Sequence, residues 1–509
     1  MKRFRPKVLA LAGFAAAFSI SLCGCSVSNV SVGPWPINNQ TFPDKIFREY
    51  VASYFDANGD ETLSREEAEA VEYIGKWDEE HRTYVEPLSN SGVTSFEGIG
   101  CFANLKGFVA NGNIVTELDL SQNKKLEYVV LGDSALEQID VSGCSSIQDV
   151  WVNPDAKVIG LPGDFHSAHL LTSGRYNLAG TSDNILKFVY SPDGKLMESA
   201  SGRDDYAERT YYEYDSDNKL TKSHYGPSSD CYTTYEYDDQ QRLVSKKEYG
   251  DGEISSSETL AYDDQGRVSE MTSTHSGYHS DFVYLYDDKS RLTRVKCSEG
   301  EGPRTDVAGL FTFEYDNAGN MISCNAKTTQ GIGIEYREAY TYDSKGRMTS
   351  EKTWYDESGD PSNSFDIEYS DDGTICQVGV GNGGCYEKIE FDESGRITSI
   401  IEPSGEDEID ARKVFSYTEK GLLVESTEEL DPDSSYPTTS TYRFSPIAHY
   451  GKTMAANTVD FQDFFPKPFE PEGGAYLPVA DKFASQYVSR AIGVNLPYPA
   501  NLNFYLSPS

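Results

Sequence analysis

Cations are scarce in this chain of 509 residues: 44 Lys and Arg stand against 82 Asp and Glu, a net charge of −38. A field of that sign repels phosphate backbones, so nucleic acid is not an expected partner, and it repels anionic lipid from the body of the protein. Histidine is also sparse, seven in all, and no His-Glu-x-x-His occurs, so the zinc-protease spacing is absent. His166 and His169, and likewise His275 and His279, have no further ligands beside them and read as solvated loop residues. Gly132-Asp-Ser134 falls inside a repeat and reads as a turn, and no Gly-rich phosphate loop follows a strand. Without a catalytic constellation the chain is expected not to be an enzyme, and no catalytic residue is assigned.

The nine cysteines form no Cys-x-x-Cys. Cys101, Cys144, Cys231, Cys297, Cys324, Cys376 and Cys385 are scattered, which suits buried small apolar residues better than a disulfide framework or a zinc site. Cys376 and Cys385 are close enough in sequence to bridge after export.

The first 24 residues read as a signal. Lys2, Arg3, Arg5 and Lys7 make a positive start, and an apolar stretch follows over residues 8–22. A spanning helix needs roughly 20 apolar residues, so this stretch is a signal-peptide core. It closes on Leu22-Cys23-Gly24-Cys25. This run resembles the bacterial lipobox, which implies cleavage before Cys25 and lipid on its thiol; the alternative is an ordinary secretory signal. The resemblance implies an exported protein anchored through Cys25 to a membrane at the bacterial cell surface. Residues 25–40 are polar and read as a tether.

Residues 41–80 are expected to form a helix-loop-helix, since Ile46, Phe47, Tyr50, Val51 and Tyr54 recur at helical spacing. Between the helices, Asp56, Asn58, Asp60, Thr62, Ser64 and Glu67 stand two or three residues apart. This looks like an EF-hand loop, which implies calcium as a cofactor, with Thr62 giving its carbonyl and Glu67 a bidentate carboxylate. Glu61 departs from the family at the position where Gly makes the turn. Ser64-x-x-Glu67 is equally a capping box, so an empty helix-turn-helix remains open.

Across residues 85–165 the period changes. Val115, Leu118, Leu120, Asn123, Leu126 and Val129 are answered 21 residues later by Leu136, Ile139, Val141, Cys144, Ile147 and Val150. Short strands are expected at 118–120 and 139–141, with turns at Asn123 and Cys144. The stretch resembles leucine-rich repeats of bacterial surface proteins, in which an EF-hand-like segment leads into the repeats.

The longest block, residues 186–446, repeats aromatic-x-Tyr-Asp-x-x-Gly-Arg-Leu. Its central aromatic falls at Tyr190, Tyr214, Tyr237, Tyr262, Tyr286, Tyr315, Tyr342, Tyr369, Phe391 and Tyr417, and an aliphatic follows six residues after each. Period-two aromatics predict a strand, Asp-x-x-Gly a tight turn, and the aliphatic the return strand. This resembles the YD repeat of RHS-type bacterial surface and toxin proteins. One hairpin cannot offset its own ordering entropy, so neighbours must pair edge to edge. The sheet they form must coil or close.

Residues 447–509 carry no repeat and read as a cap or tail, with a helical candidate over 480–492. The expected fold is mainly β: a long antiparallel hairpin meander, preceded by a small helical unit and a short leucine-rich stack. The expected function is a lipid-anchored cell-surface repeat protein that binds a protein or glycan partner. The alternatives are a structural envelope lipoprotein with no ligand, and an RHS-like toxin carrier.

Overall fold

A computed structural model describes residues 33–452 apart from short stretches at 178–183, 204–206, 227–229, 276, 302–308, 329–334, 345–347, 355–358, 362, 370–374, 381–383, 393–396, 404–408, 418–422 and 431–437. Cys25, the signal, most of the tether and the helical candidate at 480–492 lie outside the described residues.

The described chain opens on Trp35–Pro36, which pairs antiparallel with Thr62–Leu63. Helix α1, Lys45–Tyr54, buries Phe47 and Val51. Its N-cap Asp44 accepts from the amide of Phe47 at 2.9 Å and from both the amide and hydroxyl of Thr94, at 2.9 and 2.8 Å. One carboxylate therefore caps the helix and ties it to the next segment. Helix α2, Arg65–Ala70, starts on the Ser64–Glu67 capping box. It is shorter than the sequence period predicts. The chain turns extended at Val71, and Tyr73–Ile74 joins a parallel ladder instead, where Ile74 is fully buried.

Two parallel ladders follow. One runs Tyr73–Ile74, Gly107–Val109, Tyr128–Leu131, Asp149–Val152; the other runs Glu117–Asp119, Gln138–Asp140, Lys157–Ile159. Gly107 faces Tyr128 and Tyr128 faces Asp149, so each coil advances by the 21-residue period. The turn residues close the coils from within. Asn123 is fully buried and donates to the carbonyls of Ile99 and Phe102 at 3.0 and 3.1 Å. Cys144, one coil later, places its thiol 3.1 Å from the carbonyl of Leu120. Burial pushes that thiol up to about 12.

The rest of the molecule is a closed antiparallel sheet. Among the described residues it contains twenty-two strands, from His166–Asn177 to Thr438–Gly451, each paired to the next in sequence. The last strand pairs with the first over eleven residue pairs, from His166↔Gly451 to Asn177↔Thr441, and this closes the ring. The last strand changes its other neighbour along its length. Residues 438–443 lie beside the strand Leu423–Leu430, and residues 448–451 lie beside Asp149–Val152 of the first ladder. It thus welds the ring to the coils. His166 and His169 belong to the first strand and not to a loop; His275 ends, and His279 is the second residue of, the two strands of one tight hairpin, 268–275 and 278–286.

All ten hairpins share one irregularity. The register slips by one residue immediately before the repeat aromatic, so Tyr237 faces Leu243 while Glu236 faces Ser245, and the equivalent bulge recurs in every unit. The bulge puts the aromatic and the aliphatic on one face. That face is buried: Leu243, Leu260, Met271, Tyr284, Leu292, Phe313, Met321 and Tyr340 form one continuous apolar cluster. The same inner face carries charge at Lys246, whose ammonium lies 2.8 Å from Glu248 and 4.0 Å from Glu258.

The strand register also separates Cys376 and Cys385, the pair close enough in sequence to bridge. Cys385 pairs with Gly379, three residues beyond Cys376, and roughly 10 Å of strand separates their backbones, too far for a disulfide. Cys144 and Cys324 are buried, Cys101 is half-buried and Cys231 is exposed.

Candidate functional site

Three places in the fold gather side chains whose arrangement is more specific than packing requires. The first is the rim of repeat turns. In the turn after Tyr237, Asp238 accepts from the amides of Gln240 and Arg242, both at 2.9 Å, and its other oxygen takes the Arg242 guanidinium at 2.8 and 2.6 Å. The Arg242 side chain holds this carboxyl below the usual carboxylate range. Asp263–Arg267 and Asp287–Arg291 repeat the geometry. Each guanidinium also lies over the tyrosine of the following unit: Arg242 over Tyr262, Arg267 over Tyr286, Arg291 over Tyr315, at 4.3 to 4.7 Å. That tyrosine reaches back, its hydroxyl donating to the carbonyl of the preceding aliphatic. The pairs are Tyr214–Leu196, Tyr237–Leu220, Tyr262–Leu243, Tyr286–Val268, Tyr315–Leu292 and Tyr342–Met321, all between 2.6 and 3.0 Å. The Tyr-Asp and Arg-Leu halves of the motif therefore serve as a clamp between units.

The second place is the seam between ring and coils. His449 is fully buried, stacks on Trp151 at 4.2 Å, and bonds Asp149 through Nε2 at 3.0 Å. Burial raises the pKa of Asp149, against the pull of His449. A Cβ at Gly451 would meet Asp149 Oδ1 at 2.7 Å and the His449 ring at 3.0 Å, so a larger residue there would have to displace the pair. Trp151 donates from its indole to the carbonyl of Pro192 at 2.8 Å, which fastens the first repeat turn to the coils. Above this pair opens a cleft of about 540 Å³ lined by Glu79, Glu127, Asp149, Asp193, Glu213 and Asp215, with Arg82 and Lys195 the cations among them.

The third place is the outer wall. Tyr211 faces His224, His224 faces Tyr232, Tyr232 faces Tyr249, and Tyr249 faces Ile254, a direct cross-strand row over five consecutive strands. Tyr211 and His224 stack at 5.3 Å, Tyr232 and Tyr249 at 4.5 Å. The three tyrosines and the histidine are half-buried by one another, and Ile254 is 55% exposed. This row lies off the repeat positions: Tyr211 stands three residues before Tyr214 and Tyr232 five before Tyr237, and an odd offset on a strand points to the opposite face.

The loop 56–67 has the turn that calcium coordination demands. Glu61 adopts φ +61°, the left-handed conformation usually given to Gly. Asp56 spends its oxygens on the amides of Gly59, Asp60 and Glu61, Asn58 accepts from Asp60, and Asp60 from Thr62. Glu67 accepts from Ala57 at 2.8 Å and from Ser64 at 2.8 Å. The oxygen donors and the backbone suit a hard cation. The carboxylates are nonetheless turned onto loop amides. Among the described residues no three His, Cys, Asp or Glu side chains are gathered to hold a metal ion.

Residues 228–338 match the family model of the teneurin YD-shell. No curated protein matches the chain. Among solved structures, a TcdB2-TccC3-TEV crystal structure is similar at 13% identity and a TM-score of 0.37, over 53% of this chain and 15% of that one. The functional domain of InlJ from Listeria monocytogenes is similar at 26% identity and a TM-score of 0.21, over 26% of each chain. A porin-like protein from Bacteroides uniformis is similar at 12% identity and a TM-score of 0.23, over 54% of this chain and 96% of that one. The chain thus spans about 15% of the length of the first of these. The matched residues 228–338 lie within the run of ten hairpins, and the repeated aromatic and aliphatic positions extend over all ten. No described helix is long and apolar enough to cross a membrane.

Proposed function

We propose that this protein is a lipid-anchored repeat protein of the bacterial cell surface whose shell binds a protein or glycan partner. The observation that carries this reading is the half-exposed aromatic row on the outer wall of a closed sheet. Closure leaves the hairpins without a free edge, and the inter-unit clamps hold the wall rigid, so a surface on it is presented without an ordering cost on binding. Aromatic residues with polar tips are enriched where proteins meet partners. The excess of carboxylates supports a partner other than nucleic acid or anionic lipid. Lipid on Cys25 would hold the molecule at the surface through the tether. The loop with Asp56, Asn58, Asp60, Thr62, Ser64 and Glu67 would take calcium by exchanging its amide contacts for the ion.

The test is a glycan array and a surface-protein pull-down with the chain from residue 26 onward. Saturable capture of a glycan or protein supports the reading, and a blank result in both favours a structural role. Substituting Cys25→Ser tests the anchor: the protein is expected to leave the membrane fraction and lose its acyl mass.

A further inference from the structure

The row on the outer wall also limits what it can hold. The charges between its rings are engaged, while Asp251 and Glu253, in the turn beside Ile254, add two exposed carboxylates. Arg209 pairs with Glu198, Lys247 with Glu236 at 2.9 Å, and His224 has Glu213 at 3.5 Å while its other ring nitrogen lies 2.8 Å from the carbonyl of Gly226. Lys222, the remaining cation beside the row, lies 4.6 Å from the Tyr232 ring and is engaged with it. The strip therefore offers no unengaged cation to an anionic ligand, on a chain of net charge −38. Anionic glycans and acidic peptides are repelled by the whole molecule. A basic peptide is drawn toward the cleft at the seam, where Glu79, Glu127 and Asp215 outnumber Arg82 once the Asp193–Lys195, Asp149–His449 and Glu213–His224 pairs are set aside. What suits the row is an uncharged ligand with apolar faces and many hydroxyls.

We infer that the row Tyr211, His224, Tyr232, Tyr249 and Ile254 is a binding strip for a neutral oligosaccharide. The inference deepens the binding function proposed above and rests on it. The five strands carry the row over roughly 19 Å at about 4.8 Å per strand, long enough for a short sugar chain and too long for a single sugar. Sugar C–H faces pack on the ring surfaces and edges and on Ile254. The phenolic hydroxyls, which can donate and accept, answer the sugar hydroxyls.

The experiment is isothermal titration calorimetry of the chain from residue 26 onward with cellohexaose, maltohexaose and mannohexaose, and with a heparin hexasaccharide and a Lys hexapeptide as charged comparators. At least one neutral hexamer is expected to bind. The double variant Tyr232→Ala, Tyr249→Ala is expected to weaken that binding by about tenfold or more, the loss of one good contact. Ile254→Asp changes an exposed side chain that the fold does not need, and is expected to weaken binding at unchanged thermal stability. It keeps the test valid if the double variant unfolds. Undiminished binding in Ile254→Asp and the double variant, heat only with the charged comparators, or no heat at all overturns the inference. A partner captured on the array or in the pull-down and unaffected by these substitutions overturns the inference alone and leaves the binding function standing.

Discussion

The hydroxyl of Tyr262 donates to the carbonyl of Leu243 at 2.7 Å, and Arg242, the residue before Leu243, lies over the Tyr262 ring at 4.3 Å. The two contacts lock one hairpin to the next from both sides. Tyr262→Phe removes only the hydrogen bond and leaves a carbonyl short of a partner. The expected cost is about 1 kcal/mol in urea unfolding. Arg242→Lys is expected to cost more than its unchanged charge suggests, because Lys cannot both fork onto Asp238 and lie flat on the ring. A destabilisation by Tyr262→Phe well under 0.3 kcal/mol would show that the clamp is ornamental.

In the six described turns the fourth residue after the repeat aromatic has positive φ: +85° at Gly194, +64° at Asn218, +66° at Gln241, +79° at Gly266, +65° at Ser290 and +97° at Gly319. The conformation costs a non-glycine residue about 1–2 kcal/mol. Gly266→Ala is expected to destabilise by about 1 kcal/mol for that reason alone, because the nearest atom to a new Cβ is 3.8 Å away. Ser290→Gly is expected to stabilise by roughly 0.5 kcal/mol. Opposite shifts in the urea midpoint, the first about twice the second, would check the pair.

Burial lifts the Glu258 carboxyl from its ordinary 4.5 to about 7, with Lys246 pulling the other way. A carboxyl with a raised folded pKa stabilises the fold fully below its unfolded value, and that stability is lost as pH rises through the folded value. Stability is therefore expected to decline between about pH 4.5 and 7, by at most roughly 3 kcal/mol from this group. Glu258→Gln should flatten that window and raise stability at pH 8. An unchanged profile in the variant would assign the decline elsewhere.

His449→Ala leaves Asp149 buried without its partner. The expected cost at pH 7 is about 3 kcal/mol, shrinking in acid as the carboxyl takes a proton. Hydrogen exchange should show the loss first in residues 448–451 and 149–152, which pair across the seam. Uniform loss over the whole ring would mean that seam and ring unfold as one unit.

Glu61→Gly relieves the left-handed strain at φ +61°. It is expected to stabilise the loop and, on the calcium reading, to tighten calcium binding severalfold in calorimetry of the chain from residue 26 onward. Calcium heat absent from both proteins at millimolar concentration would leave the loop as a capped turn.

The repeat was legible because each unit must satisfy the same turn and bury the same pair. Leu243 and Tyr237 announced a hairpin from spacing alone. Closure was not legible, since it depends on cumulative twist and on the strand at 166–177, whose short polar run, His-Ser-Ala-His, carries no repeat signature. The second helix ended early because burying Ile74 beside Phe108 outweighs the helical propensity of the Glu and Ala before it. Asp149 and His449 stand 300 positions apart, and nothing local marks them as partners. The outer row could be read only once the register was known.

The strand that closes the ring is the last of the ring's described strands to leave the ribosome. Until residues 438–451 arrive, the strand at 166–177 and the strand at 423–430 each present an unpaired edge. Such edges recruit other chains, and contacts of this sequence separation form slowly. A nascent chain cut short by even one strand would carry ten finished hairpins and still be sticky. Both edges are thus covered in a single step, when residues 438–451 pair on their two sides.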